Sequence, residues 1–419
     1  MGTYQWLVNM HNINLNVMTG SISKSRRLLP CALVFCSCLL AAQEKQPTLS
    51  NVENWLDTRV DEAIKTHHTP GFNIGIIVDG RLALHKSYGV MNVVTGVKTN
   101  AQTRYQVASI TKTFVAALAA KLAVSNKVDL DVPINQYLPD VKFHPSIILS
   151  KMTLRKLLTH HSGLPSNPIN RENIEVLQLA ELFDPTIAAP YSVEHLKQAI
   201  ATTPSKYTTG ERYYYSNYGM HLAAYILAKV SGDDTFNEAL TAHVLGPLKL
   251  HNTFVRVSNT KDSDMATPYV SQNDSSLILT ADNQWQYIEL PAWTFGEVTG
   301  ALGLTSNIPD LSTYVMHLME EAKDSTPINQ NARELLFRPN AEFIKDNAHL
   351  FEIGLGWRIR TFGRYGTIYT HGGHNDGHHA YILFSREKHL AVIMLTNGPH
   401  DINKTIATET LLKLMQNRQ

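Results

Sequence analysis

The sequence predicts an α/β (α+β) fold: an antiparallel sheet flanked by helices, formed from both termini, with an inserted and mainly helical subdomain. Three observations predict it. Residues 72–88 read as a β-hairpin turning at Asp79-Gly80. Residues 110–250 are dominated by stretches with apolar residues at helical spacing. Residues 354–396 hold four short, apolar, β-rich runs separated by turn residues. Strands at both ends and helices between them imply one layer carrying an insertion, with a site expected at the seam. The expected boundaries are an N-terminal extension and signal peptide over 1–42, a linker over 43–51 and a single domain over 52–417. Its α/β part covers about 52–108 and 295–417, and its helical part about 109–294.

Of 419 residues, 43% are hydrophobic and 17% charged, enough for a sizeable core in one large or two small domains. The net charge of +1, without a long charge run, argues against a nucleic-acid partner. Lys24-Ser25-Arg26-Arg27 precedes an uncharged stretch from Leu28 to Ala42, the pattern of a secretory signal. That stretch is short for a membrane span, so membrane attachment would come only through an N-terminal anchor. Cys38 after Ser37 loosely suggests a lipid-modified cysteine. The expected location is secreted or periplasmic, in a bacterial cell envelope. Residues 1–17, ahead of Met18, read as an upstream extension. Cys31, Cys36 and Cys38 are the three cysteines, which excludes disulfides and cysteine-held metals from the main body.

Val52 to Lys65 is an amphipathic helix ended by Pro70-Gly71. In the first hairpin strand Ile74, Ile76 and Val78 alternate with Asn73, Gly75 and Ile77, so one face is buried. A helix opens at or just after Ser109, and Thr153 caps another that Gly163 would stop. Val193–Thr202, Met220–Ser231 and Phe236–Val244 follow as helices. The tail alternates a helix over 308–322, strands over 354–361, 366–370, 380–385 and 390–396, and a helix over 402–415.

Ser109-Ile110-Thr111-Lys112 carries the first chemical signal. Residues i and i+3 share a helix face, so Lys112 can reach the Ser109 hydroxyl. Partial burial would favour a neutral amine able to take a proton, the logic of an activated nucleophile. The alternative is a Ser109 that only caps the helix and a Lys112 that reaches to water. In Tyr213-Tyr214-Tyr215-Ser216-Asn217, a tyrosine two residues before an asparagine can set phenol and amide on one side of an extended loop. An aromatic packing cluster is the alternative. His371-Gly372-Gly373-His374 ends a predicted strand, where paired glycines let a substrate approach the backbone and a following N–H can act as an oxyanion donor.

In this order, Ser109-x-x-Lys112, Tyr215-x-Asn217 and His371-x-Gly373 resemble the penicillin-recognising serine hydrolases, in particular the class C β-lactamase, DD-peptidase and esterase branch. Supporting text includes Tyr105-Gln106-Val107-Ala108, Leu154 to Pro165, Gly300 to Asp310 and Leu395-Thr396-Asn397-Gly398. The resemblance implies a β-lactamase/DD-peptidase-like fold and a hydrolase that forms an acyl-enzyme at Ser109. It implies that Lys112 and Tyr215 share the base and acid roles, with the order open. Asn217 would hold the acyl side chain, and the N–H groups of Ser109 and His374 would form the oxyanion hole. His371, Gly372 and Gly373 would line the substrate edge. No metal or organic cofactor is implied, and the partner is a small-molecule or peptide substrate; the oligomeric state stays open.

Two departures matter. His-Gly-Gly stands where many β-lactam-binding relatives have Lys-Thr-Gly, removing a hydroxyl and a fixed charge worth roughly 1.5–3 kcal/mol in a charge-assisted bond. Weak β-lactamase activity and a preference for uncharged esters or amides are therefore expected. Asp376-Gly377-His378-His379 replaces the usual Pro-Gly-aromatic run, with no expectation attached. The grouped histidines raise a metal reading, but no H-E-x-x-H pattern accompanies them. A catalytically inactive scaffold of the same fold is the remaining alternative.

Overall fold

The computed structural model describes residues 49–167, 192–256, 262–270, 288–289, 299–320, 327–340, 344–346 and 349–416. Contacts divide the chain into Met1–Lys45 and Gln46–Gln419, and all described residues lie in the second unit. The signal-peptide and lipidation expectations fall outside the described residues.

In chain order the helices are α1 (Leu49–His67), α2 (Thr111–Val124), α3 (Leu154–Leu158), α4 (Val193–Thr202), α5 (Asn217–Ser231), α6 (Phe236–Leu240), α7 (Ile308–Met319), α8 (Gln330–Phe337) and α9 (Asn403–Gln416). The strands are β1 (Gly71–Val78), β2 (Arg81–Gly89), β3 (Tyr105–Gln106), β4 (Phe254–Val255), β5 (Tyr269–Val270), β6 (Ile288–Glu289), β7 (Leu304–Ser306), β8 (Ile344–Asp346), β9 (His349–Ile353), β10 (Arg358–Thr361), β11 (Thr367–Asn375), β12 (His378–Ser385) and β13 (Leu390–Asn397).

Eight strands form one antiparallel sheet in the order β2-β1-β13-β12-β11-β10-β9-β8. The N-terminal hairpin thus pairs with the last strand, Gly71 opposite Asn397, as expected for a sheet built from both termini. Asp79 and Gly80 both take positive φ, 50° and 72°, which a tight two-residue hairpin turn requires. The face of β1 expected to be buried is buried, and the other face is covered too, along nearly the whole strand. Helices cover both sides of the sheet, so β1, β12 and β13 read as continuous apolar runs. On one side α1 and α9 pack Leu56, Val60, Ile406 and Leu411 against Ile74, Ile76 and Val392. On the other, α2, α5 and α7 pack around Phe114, Leu118 and Tyr314.

Several boundaries move. α1 starts at Leu49, inside the expected linker. α3 keeps its Thr153 cap, whose side chain accepts from the Lys156 N–H, but stops at Leu158 well before Gly163. Residues 354–357 form a turn between β9 and β10, so the strand expected from residue 354 starts at Arg358. α8, β8 and β9 carry no clear periodic signal and were not expected. β11 runs through His371 to Asn375, so His-Gly-Gly-His lies inside a strand and not at its end.

Candidate active site

Ser109 stands at an elbow between strand and helix. β3 leads into Val107, Ala108 takes φ +46°, and a 3₁₀ turn over Ala108–Ile110 opens onto α2. Positive φ at a non-glycine residue is strained, and such strain gathers where a side chain must be aimed. The helix expected to open at or just after Ser109 begins at Thr111, and no side chain caps α2. This removes the reading of Ser109 as a cap. The elbow is braced by the 301–304 segment: Val107 N–H donates to the Leu304 carbonyl at 2.9 Å, and Leu304 N–H to Thr111 Oγ1 at 3.1 Å.

Lys112 is 0% exposed, so it does not reach to water either. Its Nζ lies 2.9 Å from Ser109 Oγ and donates to the Ala301 carbonyl at 2.8 Å. Burial first, then the nearby charge of Arg358, push its pKa well below the usual lysine range. A neutral amine with one N–H on Ala301 keeps a lone pair for the serine proton.

Tyr215 hydrogen-bonds Ser109, and its ring centroid is 4.9 Å from Lys112 Nζ. Burial pushes its phenol pKa up, against the pull of the Ser109 bond, so the phenol stays protonated. Its loop is held by His160, which no sequence pattern singled out for this role. The His160 ring lies 4.4 Å from the Tyr215 ring, its Nδ1 accepts the Ser216 N–H at 3.2 Å, and its carbonyl accepts the Tyr214 N–H at 2.8 Å. Burial first, then Lys112, hold the imidazole neutral.

Asn217 departs from the expected extended loop: it is the first residue of α5, capped by Ser216, whose Oγ accepts the Gly219 N–H at 2.9 Å. Its amide Nδ2 donates to Asn167 Oδ1 at 3.0 Å. Its own Oδ1 is buried without a partner among the described residues, an acceptor available to a guest.

β10 pairs with β11 only as far as Thr370, so the edge of β11 is free of β10 from His371 onward. That edge faces the elbow. A Cβ on Gly373 would lie 2.1 Å from the Val107 carbonyl oxygen and 3.3 Å from the Ser109 nitrogen, which demands glycine there. Gly372 has more room, its Cβ position meeting the Tyr381 ring at 3.2 Å. His371 is buried; burial first, then Lys112 and Arg358, push its pKa down to about 3. Its Nδ1–H therefore donates to the Gly372 carbonyl at 2.8 Å, and the ring carries no charge.

The remaining histidines are structural ties. Neutral His378 donates from Nε2 to the Ala266 carbonyl at 3.0 Å and accepts the Gln106 N–H at Nδ1, 3.4 Å away. His379 donates to the Gly398 carbonyl at 2.9 Å, so its Nδ1 accepts from His374 Nδ1–H, also at 2.9 Å. His374 itself is exposed. Among the described residues no group of three or more His, Cys, Asp or Glu is arranged to hold a metal ion.

One cation missed in the sequence enters the site. Arg358, the first residue of β10, lies near enough to Tyr213 to feel its phenol, and its guanidinium is 5.2 Å from the Phe351 ring centroid. Its charge acts on Lys112, His160, Tyr215 and His371.

The Beta-lactamase family profile matches residues 56–414. Protein flp of Staphylococcus aureus (strain MW2) is 24% identical over 343 residues, 82% of this chain and 62% of its own length. Unguisins hydrolase ungD of Aspergillus violaceofuscus is 25% identical, covering 83% of this chain and 61% of its own. The chain thus spans about three-fifths of these curated relatives. An octameric penicillin-binding protein homologue from Pyrococcus abyssi superposes with TM-score 0.69 at 25% identity, over 87% of this chain and 77% of that one. A beta-lactamase/D-alanine carboxypeptidase from Pseudomonas syringae shares the fold with TM-score 0.68 at 18% identity, over 86% of this chain and 98% of that one.

Proposed function

The chain belongs to the Beta-lactamase family, and on that premise we propose that it is a serine hydrolase acting through an acyl-enzyme on an ester, amide or peptide. The observation that carries this reading is the buried Lys112 amine 2.9 Å from the Ser109 hydroxyl, with its charge disfavoured. Ser109 Oγ attacks the carbonyl carbon and Lys112 Nζ takes the hydroxyl proton. The oxyanion is met by the N–H groups of Ser109 and His374, on two segments that Gly373 lets come together. Tyr215, kept protonated by burial, passes a proton to the leaving group as its bond to the carbonyl carbon breaks. The proton held by Lys112 returns to the Tyr215 phenolate; water then attacks the acyl carbon, giving its proton to the neutral Lys112 amine, which passes it to Ser109 Oγ as the acyl bond breaks. The order of base and acid, left open by the sequence, is supported by the opposite directions in which burial moves the amine and the phenol. The partner is a small molecule or peptide whose acyl side chain meets the unpartnered Asn217 Oδ1. Export to the periplasm or beyond the cell belongs to the same reading, on residues 24–42 alone.

A fluorophosphonate probe tests it. The protein should be labelled at Ser109, and Ser109→Ala should not be labelled at all. An unlabelled native protein would make the chain an inactive scaffold of this family.

A further inference from the structure

We propose that His378 is a positioning residue for the reaction: it holds the elbow strand β3 to the β11–β12 hairpin and so fixes the gap between the Ser109 and His374 N–H groups in which the oxyanion forms. The inference rests on the hydrolase reading above and deepens it.

Position comes first. His378 opens β12 directly after the turn at Asp376-Gly377. Gly373 lies opposite Ala380, and His378 is two residues before Ala380, so its ring is on the sheet face that Gly373 turns to the elbow. That ring is fully buried. The turn itself is wedged in place: Gly377 takes φ +83°, and a Cβ on it would lie 2.5 Å from the Tyr269 nitrogen. Bonding comes second. N–H groups along a strand point alternately to its two edges. The Val107 N–H goes to the Leu304 carbonyl, and the Gln106 N–H points the other way, to His378 Nδ1. From Nε2–H the ring reaches the Ala266 carbonyl, and the Ala266 N–H donates to the Arg104 carbonyl at 2.9 Å, which closes a loop of bonds around the start of β3. The Tyr105 ring meets the imidazole edge-on, with centroids 5.6 Å apart.

The role follows from how the two oxyanion donors meet. One is on the elbow and the other on β11, and Gly373 against the Val107 carbonyl sets how close the segments can come. A steric contact limits approach but does not oppose separation. His378, tied to Gln106 three residues before Ser109, opposes it. An apolar aromatic ring would fill the same space beside Tyr105. A buried imidazole is costlier than such a ring unless both nitrogens find partners, and here both do. Burial holds its pKa down to about 3, so the ring is neutral and Nδ1 remains an acceptor.

The test uses phenylboronic acid, whose boron takes up the Ser109 oxygen, turns tetrahedral and sets one B–O in the oxyanion gap. Its Ki therefore reads that gap and does not depend on the fraction folded. His378→Phe keeps a ring and neither bond. Its Ki should rise about tenfold or more and kcat for p-nitrophenyl acetate should fall in step, with KM within about threefold. Two amides divide the bonds: an asparagine oxygen stands where Nδ1 was, and a glutamine nitrogen where Nε2 was. His378→Asn should recover most of the Ki and His378→Gln little of it, although each loses one bond and both should melt at similar temperatures. A Ki rise below about threefold in His378→Phe overturns the role, as does a His378→Gln that matches His378→Asn. On the wild type alone, the boronate should slow hydrogen exchange at the Gln106 N–H, because a bond that holds the gap is strengthened when the gap is filled; unchanged exchange also overturns it. Failure of the wild type to turn over p-nitrophenyl acetate would instead strike the hydrolase reading, and with it the positioning role.

Discussion

Lys112 Nζ and Ser109 Oγ lie 2.9 Å apart in a setting where the amine is fully buried and has no carboxylate partner among the described residues. Burial therefore decides the state of the pair, and the acid–base chemistry depends on it.

Replacing Lys112 by Ala should lower kcat by about 10²–10⁴-fold, the usual worth of a positioned base, with little change in melting temperature. In the native protein kcat/KM should rise with pH as Lys112 loses its proton, in a range well below that of an ordinary lysine. The plateau should then persist through the ordinary tyrosine range, because the raised Tyr215 pKa keeps its phenol protonated. A rise only at the ordinary lysine pKa would exclude a neutral amine at working pH.

The two glycines of the substrate edge should separate sharply. Gly373→Ala puts a methyl group 2.1 Å from the Val107 carbonyl and must push β11 off the elbow. Loss of about a hundredfold or more in kcat is expected, as for a misplaced oxyanion donor. Gly372→Ala meets only the Tyr381 ring edge at 3.2 Å and should cost less than about tenfold. Assays of the two variants with one ester would show the order.

His160→Ala should act through Tyr215. Losing the ring that packs on Tyr215 and the acceptor for the Ser216 N–H frees the phenol's loop. A drop of roughly 10–100-fold in kcat with KM nearly constant is expected, together with a shifted pH profile. A purely structural role would show as lower stability with normal kinetics per folded molecule.

Acid should destabilise the fold through buried neutral histidines. His371, His378 and His379 have folded pKa values of about 3, against 6.5 for the free side chain. Above pH 6.5 neither state binds these protons and the full stability is present. Below it the unfolded chain binds them first, and stability falls until the folded pKa is reached, by up to about 1.4 kcal/mol per pH unit and histidine. Denaturant midpoints should thus drop between pH 7 and 5, and His378→Gln should flatten the slope.

Much of this was legible in the chain. Asp79-Gly80 announced its hairpin, and the helices over 193–202 and from residue 308 stood where their apolar spacing put them. Ser109, Lys112, Tyr215 and the glycine edge share one site because each sits in a short local pattern. The misses have a common cause. His160, Asn167 and Arg358 act through contacts between segments far apart in sequence, which local spacing does not encode. Asn217 reads as part of a loop in the sequence because its cap, Ser216, continues the aromatic run before it. The edge strands β8 and β9 lack the continuous apolar character of the sheet centre.

The most direct test of the central claim is to mix the protein with p-nitrophenyl acetate, quench in acid during turnover and map the acetyl group by peptide mass spectrometry. The account predicts an acetyl ester on the peptide carrying Ser109, absent in Ser109→Ala along with turnover. Continued turnover in Ser109→Ala, or an acetyl group residing elsewhere while the ester is consumed, would contradict it.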